Sequence, residues 1–404
     1  MRPWRDEITG TQWRILLAGH LGWLLDGFDA MLYSFALLQI KAEFSLNGSQ
    51  AGLLASVTLV TASIGGIGAG FLCDRFGRVR VLIFSILAYS IFTGLTATSQ
   101  SLAMLIFWRG LVGLGLGAEW TAGSVLIAES WPQRLRGTAI GLMQSGWALG
   151  YIAAALVSAW VLPAYGWRVM FVLGTLPALA TLWIRRNIPE PEIWRNRSAS
   201  TQSQTRSLLD SKYLGRILVA SSVATCLLFS YWGLFTWIPA YLAAPVEQGG
   251  VGLSVFKSSW WIIPMELGAF FGYVSFGFFA DRFGRRPVFL IFVLSAALII
   301  PIYGSVRNEF LILALGPFLG FFGHGYFSLF GSMLAEMFPT NIRASAQGFC
   351  YNSGKALSAF APLTIGFLAD QFGIGAALGA TSMFLVAAAG LIFLLPETFG
   401  VELE

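Results

Sequence analysis

Charge is what this 404-residue sequence has least of: Asp, Glu, Lys and Arg make up 11% of it, against about 25% in ordinary soluble domains. Histidine occurs twice and cysteine three times. Cys73, Cys226 and Cys350 lie in or beside apolar runs with no paired spacing, so neither a disulfide framework nor a metal site is expected. Long polar stretches are missing too, apart from residues 186–212, which leaves no long soluble extension of the kind a sensor carries. The first residues lack the form of a cleaved signal. Residues 1–12 are polar, and the apolar run after them is long and carries Asp26 and Asp29, so it reads as a retained span. What fills the chain is 56% apolar residues, in stretches long enough to cross a bilayer. A water-soluble fold could not cover so many apolar helices. The expected class is an all-α membrane protein.

The stretches that carry charge repeat. Asp74-Arg75-Phe76-Gly77-Arg78 returns as Asp281-Arg282-Phe283-Gly284-Arg285, 207 residues later. The same offset relates Glu129 and Pro132 to Glu336 and Pro339, Arg136 to Arg343, and Pro189-Glu190 to Pro396-Glu397. Four separated anchors with no net insertion mean one unit written twice, the pattern of transporters built from repeated bundles. The expected domains are a first six-helix bundle over 1–185, a linker over 186–212, and a second bundle over 213–404. Twelve spans are expected: 13–39, 49–73, 80–98, 101–129, 136–161 and 167–185, then 213–242, 256–280, 287–304, 309–337, 343–369 and 375–395.

Basic residues decide the orientation. With the N-terminus inside, 19 of the 25 Lys and Arg fall on cytoplasmic segments and four (Lys41, Arg168, Lys257 and Arg307) on outer loops. The positive-inside rule then puts both termini in the cytoplasm, of a plasma membrane, or of the inner membrane if the source is bacterial. The net charge of +5 is accounted for by topology and is no nucleic-acid footprint. The glycine runs Gly65-Gly66-x-Gly68-x-Gly70 and Gly113-x-Gly115-x-Gly117 allow close helix approach. The second imitates a nucleotide-binding run but follows no strand.

Over essentially its whole length the sequence resembles the major facilitator superfamily. The likeness is carried by the two Asp-Arg-x-Gly-Arg loops and by Arg109-Gly-Leu-Val-Gly-Leu-Gly-Leu-Gly117. The Pro-Glu pairs resemble those of sugar porters. Leu25-Asp26-Gly27-Phe28-Asp29, Glu119-Trp120, Glu129-Ser-Trp-Pro132, Gln347-Gly-Phe-Cys-Tyr-Asn352 and Lys355 resemble the sialate- and lactate-type organic acid–proton symporters. The resemblance implies twelve helices in two pseudo-symmetric bundles and transport by alternating access. In the resembling family the repeated cytoplasmic motifs stabilise the outward-open state. That implies a gate of Asp74, Arg75, Gly77, Arg78, Glu129 and Arg136, with Asp281, Arg282, Gly284, Arg285, Glu336 and Arg343 as its counterpart. The bland alternative, that these arginines are topology signals, holds alongside.

Charges inside spans are costly unless paired or hydrated, so function is sought there. By helix rise, Asp29 lies about 22–27 Å in from the cytoplasmic end of span 1, and Arg109 about 30 Å from Glu129 in span 4. The two depths let them meet, and aspartate and arginine form the coupling pair at matching places in resembling proton-coupled sugar porters. A carboxylate leaving water prefers to be neutral and a guanidinium prefers it ionised, so making and breaking such a pair moves a proton. A permanent structural pair is the alternative. Asp26, one turn earlier, could share the proton, bind substrate or support packing; Glu119 is a further proton site or a partner for Lys355. Lys355, about 18 Å into span 11, is expected either to receive a substrate carboxylate or to pair permanently with Glu119 or Glu266. His324, among glycines and aromatics, reads as a neutral core imidazole. Gln144, Trp147, Tyr231, Trp232, Trp237, Tyr351 and Asn352 could line a cavity or serve packing.

The functional expectation is a monomeric proton-coupled symporter, not an enzyme, importing a small organic anion such as a monocarboxylate or sialate-like acid. It needs no cofactor or metal and runs on the proton gradient. The alternatives are a porter of neutral sugars or drugs in either direction, and a solute sensor that does not transport.

Overall fold

A computed structural model describes residues 8–131, 136–190, 211–328, 333–334, 337–338 and 343–398, and these are helical with no strand among them. The chain runs α1 (Gly10–Glu43), α2 (Gly48–Phe76), α3 (Arg78–Thr96), α4 (Leu102–Ser130), α5 (Arg136–Leu173) and α6 (Ala180–Asn187). It continues with α7 (Ser211–Phe235), α8 (Ile238–Ala243), α9 (Val255–Phe283), α10 (Arg285–Ser305), α11 (Glu309–Gly325), α12 (Arg343–Ser358), α13 (Ala361–Phe372), α14 (Ile374–Ala380) and α15 (Ser382–Leu391). Eight of the described segments are long and apolar enough to cross a membrane. One of these, over 139–179, covers two expected spans, which turn at Gly166 with φ of 76°. Most of the expected linker, residues 191–210, lies outside the described residues.

Capping residues set the helix starts. Thr9 with Gln12 and Asn47 with Gln50 form capping boxes at α1 and α2, and Ser101, Ser254 and Asn308 cap α4, α9 and α11. Prolines break the second-half spans. Pro239 has no N–H to give the Phe235 carbonyl, so the helix stops there and α8 restarts after Trp237. Pro362 follows the break between α12 and α13. The expected span over 213–242 is thus one crossing built from two helices, and that over 343–369 is likewise built from two.

The 207-residue repeat is visible in the packing. A β-carbon at Gly65 would fall into the Leu114 carbonyl, and one at Gly113 into that of Thr58. In the second half, Gly272 meets Phe321 and Gly320 meets Met265 in the same way, each residue 207 positions on from its counterpart. The α2–α4 and α9–α11 crossings are thus one close backbone contact used twice. Between the halves, α5 packs along α9, and α2 along α12 and α13.

Candidate functional site

The repeated loops are built alike. Gly77 and Gly284 have φ of 101° and 95° with ψ of 153° and 155°, left-handed backbone that a side chain would strain. The partner of each loop is the Pro-Glu glutamate. Glu190 accepts from the backbone N–H groups of Arg78 (2.8 Å), Val79 (3.1 Å) and Arg80 (3.2 Å) at the start of α3. Glu397 accepts from those of Arg285 (3.2 Å) and Arg286 (3.0 Å) at the start of α10. A carboxylate on the free N–H groups of a helix start is a charge-assisted cap. Of the other expected gate residues, Arg78 is buried and donates to the Cys73 carbonyl at 2.9 Å, while Arg75 and Arg282 lie against Phe76 and Phe283. Glu336 and the side chains of Asp74, Glu129, Arg136, Asp281 and Arg343 lie outside the described residues.

Between the halves lies a cavity with about 800 Å³ of non-protein space, part of it open to solvent. α1 contributes Trp23, Asp26 and Tyr33, α2 Thr58, α4 Arg109, and α5 Gln144 and Trp147; α7 adds Tyr231 and Trp232, with Thr236 just past its end, α9 Tyr273, and α12 Tyr351 and Lys355, with Phe327 just beyond α11. Six expected lining residues are therefore brought together: Lys355, Tyr351, Gln144, Trp147, Tyr231 and Trp232. Asn352 is buried off the cavity, its amide donating to the Gly348 carbonyl at 3.0 Å and its oxygen packed against Gly66 of α2. Trp237 is also elsewhere, donating to the Pro362 carbonyl at 3.1 Å. Trp23, Tyr33 and Tyr273 were not anticipated, though a signal existed. Trp23 and Tyr33 flank Asp26 and Asp29 at helical spacing, and Tyr273 lies two turns beyond Glu266.

Asp29 and Arg109 are neighbours but make no hydrogen bond to each other. Asp29 is fully buried, neither oxygen has a donor within 3.5 Å among the described residues, the Thr93 hydroxyl is the donor that acts on it, and Arg109 acts on it through charge alone. Arg109 instead donates from Nε to Thr58 Oγ1 at 3.2 Å and lies 5.3 Å from the Tyr33 ring centre, with Nη1 unpartnered among the described residues. The Lys355 ammonium makes no hydrogen bond to any described residue; the charges acting on it are Asp26 first and Glu119 second. Glu119 is buried against Gly22, outside the lining. Glu266, the other expected partner, faces His324 in the second half.

Trp147 ties the two halves at the cavity: its Nε1 donates to Tyr231 OH at 2.5 Å, and its rings lie 4.9 Å from Trp23 and 5.8 Å from Trp232. One turn on, Tyr151 OH donates at 3.0 Å to the Phe235 carbonyl that Pro239 leaves free. Toward the end opposite the repeated loops the described cross-half contacts are dense. Asp370 of α13 accepts from Gly48 N (3.0 Å) and Ser49 N (3.3 Å) at the start of α2 and lies 3.8 Å from Lys41. Ser158 and Ser259 share a hydrogen bond at 2.8 Å between α5 and α9.

Asp370→Asn removes the ion pair and weakens the cap while keeping the shape. The bridge is part-exposed and contributes less than about 1 kcal/mol, so a severalfold gain in labelling of Ala55→Cys, a cavity position, is expected from that end. An unchanged labelling rate would show that Asp370 does not hold this end closed.

A family description, Major Facilitator Superfamily, matches residues 20–265, and a second, Sugar (and other) transporter, matches residues 190–404. The chain belongs to the major facilitator superfamily. It is 35% identical to the cis,cis-muconate transport protein of Acinetobacter baylyi, over 92% of this chain and 91% of that one. It is 31% identical to the sialic acid transporter NanX of Escherichia coli K12, over 96% and 93%. In fold it matches a crystal structure of a D-xylose–proton symporter with a TM-score of 0.77 at 20% identity, over 98% of this chain and all of that one. It is accordingly an integral membrane transporter, not an enzyme.

Proposed function

We propose that this transporter carries a small, flat organic anion into the cell together with protons, by alternating access around the cavity described. The observation that supports it most is the surplus of donors there. The Lys355 ammonium, Arg109 Nη1 and Trp232 Nε1 have no acceptor among the described residues, and buried donors of that kind call for an acceptor-rich ligand. The walls around them are indole and phenol rings, which suit a conjugated or aromatic body. A relative named for cis,cis-muconate fits that chemistry.

Charge balance supports proton coupling. Asp26, Asp29 and Glu119 outnumber Arg109 and Lys355 by one, so near neutrality one carboxyl holds a proton before substrate arrives. An entering anion adds a negative charge in a poorly hydrated place and draws in another. Asp26 is placed for this exchange: protonated, it releases Lys355 to the substrate. The two halves then act as bundles joined by the linker, with the repeated loops on the cytoplasmic side. Cysteines introduced in 196–206 are expected to label from the cytoplasm and those in 246–252 from outside; the reverse would overturn the orientation.

The reading is tested by thermal shift of the purified protein against monocarboxylates, dicarboxylates, sialate and neutral sugars, followed by uptake of any stabilising compound. Stabilisation by anions and not by their amides is expected. Stabilisation by neutral sugars alone would favour the sugar-porter reading.

A further inference from the structure

Glu266 on α9 and His324 on α11 are fully buried and take no part in the cavity's charge balance. Glu266 Oε1 lies 3.7 Å from His324 Nε2. The other ring nitrogen, Nδ1, is 3.2 Å from the Gly320 carbonyl. A carbonyl only accepts, so Nδ1 bears hydrogen, and in the neutral ring Nε2 turns its lone pair to Glu266. Neither carboxyl oxygen, nor Nε2, has a hydrogen-bond partner among the described residues. No described Lys or Arg acts on Glu266; the ionisable groups that face the pair are the phenols Tyr151 from α5, Tyr231 from α7 and Tyr273 from α9.

A bare carboxylate opposite a lone pair, without donor or cation, is a state this interior tolerates badly. One added proton resolves it. On the carboxyl it gives an O–H directed at Nε2; on the ring it gives an N–H directed at a carboxylate. The pair is neutral either way. We infer that Glu266 and His324 form a proton-binding site in the second half of the chain, loaded and unloaded through the cavity one aromatic layer away. That layer is Tyr231 and Tyr273, which line the cavity and lie 5.1 and 5.8 Å from the His324 ring. The site also has a mechanical consequence. Gly320, which holds the ring, packs on the carbonyl of Met265, the residue before Glu266. Loss of the proton therefore puts repulsion at the tightest point of the α9–α11 crossing, and sliding of these helices would in turn eject the proton.

The binding site stands on this geometry; its part in coupling rests on the proton-symport reading. Infrared difference titration of the purified full-length protein separates the two. A protonated-carboxyl band that disappears with rising pH in wild type, is missing in Glu266→Gln and is shifted in His324→Gln is expected. Absence of any titrating band that His324→Gln moves would overturn the site, including where Glu266→Gln does not fold. In proteoliposomes, Glu266→Gln is expected to lower the protons moved per substrate by one. An unchanged ratio, with the band present, would overturn the coupling role. A wild type that moves no protons while the band titrates would overturn the symport reading instead and leave the site standing.

Discussion

Replacing Lys355 with glutamine is expected to weaken binding of the anionic substrate about ten- to a hundredfold, the equivalent of roughly 1.5–3 kcal/mol for a hydrogen bond to a charged group. The ammonium makes no hydrogen bond to described side chains, lies on the cavity and feels Asp26 and Glu119 only through charge. It is thus held near carboxylates without being consumed by one. Lys355→Arg should keep substantial affinity, because it keeps a cation on the cavity, though the planar fork alters which carboxylates fit. An amide analogue of the substrate should bind wild type poorly and lose little in the Gln variant. Isothermal calorimetry on purified protein measures all three. The structural alternative predicts otherwise: if Lys355 only balances Asp26, the Gln variant melts earlier yet binds the anion as wild type does. Asp26→Asn with Lys355→Gln would then recover the stability, since the carboxylate left uncompensated is gone.

The framework was readable because its determinants are local and repeated. A glycine at positive φ after Asp-Arg-Phe, a Pro-Glu cap and a glycine at a close crossing each leave a residue type at a fixed offset, and Gly77, Glu190 and Gly113 have counterparts 207 positions on. The site is where that symmetry fails. Asp26, Asp29 and Arg109 correspond to Gly233, Thr236 and Gly316, and Lys355, Glu266 and His324 correspond to Ala148, Leu59 and Gly117. Depth along a helix, which the rise per residue supplies, was enough to bring Arg109 close to Asp29. It could not supply rotation. Arg109 turns to Thr58 and Tyr33, Lys355 has Asp26 as its first charge neighbour, and Asn352 sits off the cavity. Contacts between the halves were the least legible. That Trp147 bonds Tyr231, or that Asp370 caps a helix more than three hundred residues away, depends on how two helical faces meet. The role of Glu190 was hidden for a simpler reason: a cap formed from a distant segment has no local spacing to betray it.

Asp29→Asn is expected to abolish accumulation of substrate against its gradient while leaving exchange of internal for external substrate in place. Asp29 lies off the cavity lining and faces Arg109, which is part of it, so the substitution leaves the binding surface nearly intact. What it removes is a group able to alternate between neutral and ionised forms. In the proposed cycle the aspartate is protonated when Arg109 is drawn toward the substrate and ionised when Arg109 returns, so this pair passes one proton per turn. Asparagine fixes the neutral form, so the carrier reorients without waiting for a proton at this position, and substrate leaks back whatever other protons move with it. Wild-type uptake should rise as the external pH falls below the internal pH; uptake by the variant should be flat and stop at equilibrium. Asp29→Glu, which restores a titrating group on a longer stem, should recover part of the pH dependence. Proteoliposome uptake and counterflow at matched and unmatched pH measure these outcomes together. Undiminished, pH-driven accumulation by Asp29→Asn would move the coupling role away from this pair. Asp26, with Lys355 beside it, is the next carboxyl whose release of a cation could do the same work.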